Sequence, residues 1–147
     1  MISSAVYIFN DIADIEADRQ HPKKKERPLP SGELPVNTAR IFGVFLVAFV
    51  LPTAYMLTPA FSVVLALYFL MMIAYTSKLK HVPILDVMII ATGFVLRVHS
   101  GVTLIAVERF SPWLYVITTL GALYLGFGKR RAELELLSDG AGSHRKV

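Results

Sequence analysis

The 147-residue chain contains no cysteine, which removes disulfides and thiolate metal sites from consideration. Charge is missing over two long stretches, residues 41–77 and 110–128. Only 18% of the residues are charged while 54% are hydrophobic, a balance that does not suit a soluble domain. Uncharged apolar runs of about 18 residues or more read as membrane spans, and the first run is long enough for two. Neither run has the period-two alternation of a membrane barrel strand. The N-terminus has no basic region followed by a cleavage site, so no signal peptide is read. Instead Met1 leads directly into the apolar "ISSAVYIFN", too short to cross a bilayer. The chain reads as beginning inside a helix, as a fragment of a longer protein does.

What is present divides accordingly. The expected fold class is all-α, a polytopic transmembrane helix bundle forming one partial domain over residues 1–147, with helices near 1–18, 38–57, 60–76, 84–105 and 112–128. Pro28, Pro30, Gly32 and Pro35 in "RPLPSGELP" argue against regular helix through the 19–36 loop. Pro59 in "LTPA" suits the first turn of a new helix. The polar, glycine-containing tail after the last helix reads as loop.

Threading these helices sorts the cations. Of the 15 Lys and Arg residues, 13 fall on one side of the membrane, at positions 19, 23, 24, 25, 27, 40, 78, 80, 129, 130, 131, 145 and 146. Arg109 falls on the other side and Arg97 inside a helix. The positive-inside bias makes the populated side cytoplasmic, in a plasma (inner) membrane. The net charge of +4 is therefore a matter of placement at a membrane face, and no nucleic-acid partner is implied.

Acid and base meet in "NDIADIEADRQHPKKKERPLPSG", residues 10–32. Asn10, Asp14 and Asp18 are spaced i, i+4, i+8, within about 80° of one another on a helix, and Asp11 joins their face. Carboxylates stacked at the edge of a low-dielectric medium repel one another. All-oxygen donors, with one or two carboxylates per ion, suit Mg²⁺ completed by water and substrate phosphates; paired charges at a solvated helix end are the alternative. Arg19, His21, Lys23, Lys24, Lys25 and Arg27 follow, as an anionic-lipid patch or as phosphate ligands beside a metal. "YTSKLK" and "GKRRAEL" bring Tyr75, Lys80, Lys129 and Arg130 to the same face, where Tyr75 also suits an interfacial belt and the cations a membrane anchor. Arg97 lies well inside the fourth helix, where an ionisable residue is a functional hypothesis by default. Asp86 precedes it by about three turns on the same side of that helix, and Gly93 leaves room there for a ligand or another helix.

The 10–32 stretch resembles the first signature of the UbiA superfamily of membrane prenyltransferases. The pattern Asn-Asp-x-x-Asp-x-x-x-Asp is matched by Asn10, Asp11, Asp14 and Asp18, followed by Arg19, His21-Pro22 and Arg27 to Gly32. "YTSKLKHVPILDVMIIATGFVLRVHSG" and "GKRRAEL" resemble the superfamily branch that makes decaprenylphosphoryl-5-phosphoribose for cell-wall arabinan synthesis. That likeness implies transfer of 5-phosphoribose from phosphoribosyl pyrophosphate to a polyprenyl phosphate, with pyrophosphate released. It implies a Mg²⁺ cofactor on Asn10, Asp14 and Asp18, with Asp11, Asp14 and Asp18 as the catalytic carboxylates. Arg19, Lys24, Arg27, Tyr75, Lys80, Lys129 and Arg130 are implied as phosphate contacts, and Asp86 and Arg97 as polar liners of the cavity. Members that prenylate aromatic acceptors carry a second Asp-x-x-x-Asp motif; here Ile90 stands four residues after Asp86. The superfamily fold has nine helices, of which this chain would supply about the second to the sixth. Two readings of other classes are a cation transporter using the acidic stripe and a membrane fragment without catalysis.

Overall fold

The computed structural model describes residues 1–21, 24–82, 84–105 and 111–142, and their side chains apart from His81 and residues 133–142. Pro22, Lys23, Arg109, Arg145 and Lys146, used above for the motif and the orientation, lie outside the described residues.

Among the described residues seven helices follow one another: α1 (Ile2–Ala13), α2 (Ile15–Gln20), α3 (Pro28–Ser31), α4 (Val36–Leu57), α5 (Pro59–Ser77), α6 (Leu85–Val102) and α7 (Pro112–Gly142). Single 3₁₀ turns stand at Lys24–Glu26 and Leu79–His81. No strand occurs among the described residues, so the all-α class expected from the sequence is the class observed. Among the described residues α4, α5 and α6 are long and apolar enough to cross a membrane, which makes this a multi-pass membrane protein.

The helix boundaries follow from local chemistry. Thr58 alone separates α4 from α5, in extended backbone with φ −154° and ψ 135°. Pro59 then opens α5, where its missing N–H costs nothing because the first-turn donors have no intrahelical partner anyway. The 19–36 segment holds more helix than its prolines suggest. Pro28 and Pro30 both fall in the single turn of α3, where fixed φ is an advantage, and Gly32 closes it in the left-handed region at φ 86°. The opening helix, expected as one piece over 1–18, is interrupted at Asp14, whose φ and ψ are −96° and 3°. Hydrogen bonding nonetheless runs through the interruption: Asp14 N–H bonds Asn10 C=O at 2.9 Å, and Asp18 N–H bonds Asp14 C=O at 2.8 Å. At the other end α7 continues beyond residue 128 to Gly142. "KRRAELELL" is composed of strong helix formers, which outweigh the polarity that reads as loop.

The helices pack in sequence, α4 on α5, α5 on α6 and α6 on α7, with α1 laid against α4 and α5. The buried residues of α4, namely Ala39, Gly43, Leu46 and Ala54, stand about one or two helical turns apart and define one stripe. Ile2, Val6, Ala54, Leu65 and the fully buried Tyr68 form the inner core, and Ile15, Leu29 and Ala39 form a second cluster beneath the 24–34 segment. Outside the stripes large apolar side chains face outward, among them Phe45, Phe49, Leu67 and Leu70. Lipid tails are as apolar as leucine, so close approach of backbones contributes more to helix association than further apolar burial does. Gly126 of α7 shows this most sharply: a Cβ there would stand 2.6 Å from Cγ1 of the buried Val87 on α6.

Gly126→Leu should therefore lower stability by about 1–3 kcal/mol through overpacking, whereas Gly121→Leu, with nothing within 4 Å of its Cβ position, should not. Thermal unfolding of the two variants in the same detergent checks this.

Candidate functional site

The charged residues gather where the C-terminal end of α1, α2, the 24–27 segment, the end of α5 and the start of α6 meet. Asp18 is 4% exposed despite its charge. Its Oδ2 accepts from the Arg27 guanidinium at 3.2 Å, and its Oδ1 lies 3.5 Å from Lys24 Nζ. Arg27 also donates to Asp11 Oδ1 at 3.3 Å. The Lys80 ammonium, 66 residues away in sequence, is paired with Asp14 Oδ1. Asn10 joins the same set: its Nδ2 donates to Asp14 Oδ2 at 3.2 Å, and its Oδ1 accepts from the Thr76 hydroxyl at 3.2 Å. Each of the three stripe carboxylates thus carries a cation from a loop. Partial burial raises the pKa of Asp11 above the usual carboxylate value; the Arg27 charge opposes this, and Asp18 and Asp14 add to it.

A second charged cluster adjoins the first. Asp86, in the first turn of α6, is 2% exposed. Its Oδ1 accepts from the Tyr75 hydroxyl at 2.5 Å and its Oδ2 from the Arg130 guanidinium. Tyr75 and Thr76, adjacent at the end of α5, therefore face the two clusters, one toward Asp86 and the other toward Asn10.

Several expected members sit elsewhere. Arg19 donates to Glu16 at 3.0 Å and to the Pro30 carbonyl at 3.3 Å, fastening α3 to α2 rather than facing the stripe. Arg97 is separated from Asp86 by 11 residues, about 16 Å along the helix. Its guanidinium bonds the Tyr68 hydroxyl and lies 5.0 Å from the Tyr68 ring and 5.6 Å from the Phe94 ring. It thus forms a separate, deeper cluster. Lys129 is exposed on α7. Two participants were not picked out from sequence. Thr76 could have been found as a hydroxyl ending an uncharged helix beside Tyr75. Tyr68 carries no local mark beyond a hydroxyl in the middle of an apolar run.

A cavity of about 500 Å³ opens beside the first cluster, lined by apolar side chains such as Ile8, Leu29, Leu34 and Phe42, with Asp11 and Arg27 among its polar members. Among the described residues no three His, Asp or Glu side chains converge as a metal cage. The donor set nevertheless fits Mg²⁺ in the form that ion prefers, with few protein carboxylates and the shell completed by phosphate oxygens and water. The adjacent ammonium and guanidinium groups suit a phosphate-bearing ligand.

The model of the UbiA prenyltransferase family matches residues 1–129. The chain is 35% identical over 143 residues to decaprenyl-phosphate phosphoribosyltransferase of Corynebacterium glutamicum, covering 96% of this chain and 42% of that protein. It is also 35% identical over 146 residues to the protein of that name from Mycobacterium tuberculosis, covering 99% and 48%. Digeranylgeranylglyceryl phosphate synthase of Sulfurisphaera tokodaii is 35% identical over 132 residues, covering 86% and 44%. The chain thus spans less than half the length of these relatives.

Removing one partner of a buried ion pair typically costs about 3–5 kcal/mol, because the remaining charge is left uncompensated. Arg27 is half exposed and Lys24 remains near Asp18, so Arg27→Gln should cost less, about 2 kcal/mol on that scale. Adding Asp18→Asn should recover most of the loss, as read by thermal unfolding of the single and double variants.

Proposed function

The chain belongs to the UbiA prenyltransferase family, and on that footing we propose that its charged membrane face transfers 5-phosphoribose from phosphoribosyl pyrophosphate to a polyprenyl phosphate. The observation that carries this reading is the interleaving of Asp11, Asp14 and Asp18 with Arg27, Lys24 and Lys80 at one end of the bundle. A surface that only attracts anionic lipid has no use for the carboxylates, and a cation site has no use for the lysines. A metal-bound diphosphate uses both. The names of the relatives from Corynebacterium and Mycobacterium support the phosphoribosyl donor and the lipid phosphate acceptor.

In this mechanism Asn10, Asp14 and Asp18 would hold Mg²⁺, which when bound would neutralise negative charge developing on the leaving group. Lys80, Arg27 and Lys24, which pair with the carboxylates in this structure, turn to the phosphate oxygens and hold two polyanions within reach of each other. The C1–O bond to pyrophosphate breaks with its electron pair leaving on the pyrophosphate oxygen. A lipid phosphate oxygen supplies the pair for the new C1–O bond. That oxygen is already anionic near neutral pH, so no general base is required. The polyprenyl tail follows the apolar helices into the bilayer, and the positive-inside distribution sets the charged end on the cytoplasmic side of the plasma membrane.

A second reading is prenyl transfer from a prenyl diphosphate, which the digeranylgeranylglyceryl phosphate synthase likeness favours. The single carboxylate at Asp86, with Ile90 where an aromatic-acceptor enzyme places another Asp, weighs against an aromatic acceptor.

Membranes containing the protein should incorporate label from phosphoribosyl pyrophosphate into a lipid phosphate, and incorporation from a prenyl diphosphate instead would reject the first reading. Asp14→Asn should reduce turnover by about 10²–10³-fold, the scale for losing one electrostatic stabiliser of developing charge; wild-type turnover in that variant counts against the assigned carboxylate.

A further inference from the structure

We propose that Asp86 is a positioning residue, which sets the Arg130 guanidinium for the phosphates of the adjacent stripe while the Tyr75 hydroxyl holds its other oxygen, and does not itself touch substrate. The inference rests on the reading of that stripe as a diphosphate site and assigns the second cluster a role in it.

Burial is the first ground. Asp86 is 2% exposed, and Tyr75 and Arg130 already occupy one oxygen each, the second of them a cation that itself reaches the surface. The second ground is the shape of the pair. The Asp86 side chain is 3% exposed while that of Arg130 is 49% exposed, so the guanidinium spans the boundary between interior and surface. A guanidinium is planar and carries five donors in a fixed fork. A carboxylate holding one guanidinium nitrogen from inside restrains the plane of the fork.

Adjacency to the stripe is the third ground. Thr76, next to Tyr75, bonds Asn10, and Lys80, on the α5–α6 connection that leads to Asp86, pairs with Asp14. Arg130 comes from α7, which packs on α6, and Asp86 links that helix to the start of α6. The backbone supplies a fourth ground. Ile84, two residues before Asp86, holds φ 73° and ψ −51°, a region that a β-branched residue rarely enters. Strain of this kind persists where the surroundings over-determine it, and here it precedes the turn that presents Asp86. Stability alone is a poor reason for the cluster, since a buried ion pair is often no more stable than a well-packed apolar substitute.

The test is a double-mutant cycle on the protein in nanodiscs, reading KM for phosphoribosyl pyrophosphate beside the unfolding temperature. Asp86→Asn and Arg130→Met should each raise KM about tenfold, the scale of one charge-assisted hydrogen bond. The double variant should be no worse than Arg130→Met alone, because Asp86 acts through Arg130. Arg130→Lys, which keeps a cation for Asp86 but loses the plane, should raise KM as well. It serves as the independent variant if Asp86→Asn does not fold. Unchanged KM in Asp86→Asn or Arg130→Lys with only a lowered unfolding temperature overturns the proposal in favour of a helix tie. Multiplying effects in the double variant overturn it in favour of direct contact with substrate. Wild-type protein that accepts a prenyl diphosphate and not phosphoribosyl pyrophosphate rejects the functional reading instead. The same cycle read on KM for the prenyl diphosphate then decides the role of Asp86 separately.

Discussion

A carboxylate at the edge of hydrocarbon must find a cation or give up its charge, and the charged end of this bundle is arranged around that requirement. Asp14, Asp18 and Asp86 each meet it with a partner from another segment: Lys80, Arg27 with Lys24, and Arg130. These pairings fasten the α5–α6 connection to α1, fold the 24–34 segment back over α2, and join α7 to the start of α6. The same pairs present ammonium and guanidinium groups at one face. The groups that neutralise the protein's own carboxylates are thus already beside the place where phosphates would arrive.

Between the helix bodies close contact takes the place of charge. Gly43 approaches the Phe9 ring, Gly93 packs on Tyr68 and Met72, and Gly126 packs on Val87. Small residues thereby bring α4 near α1, α6 near α5 and α7 near α6. Arg97 obeys the same rule against isolated intramembrane charge in another way, using the Tyr68 hydroxyl and two aromatic faces.

Much of this was legible from sequence. The uncharged run 41–77 announced α4 and α5, Pro59 marked the break between them, and the spacing of Asn10, Asp14 and Asp18 placed them along one line, which survives the interruption at Asp14 because the backbone bonds continue across it. Other features were not legible. α7 runs on past residue 128 as helix because the helix formers of "KRRAELELL" prevail over polarity. The prolines at 28 and 30 form a helical turn because its first-turn donors need no partner. Arg19 belongs to the same run of cations as Arg27 but faces away from Asp18, toward Glu16 and Pro30.

Sequence by itself determined that the chain carries apolar helices of membrane-spanning length, the all-α class, the family, and where its charged residues fall along the chain. All of these are properties of local composition and spacing, and hydrocarbon imposes them on each helix separately. Tertiary structure alone decided the pairings: Lys80 with Asp14 across 66 positions, Arg130 with Asp86 across 44, and Arg97 with Tyr68 rather than with a carboxylate. A side chain's partner depends on which helix faces it and at what depth. Those are set by the packing of glycines and core residues between helices, which no single segment encodes.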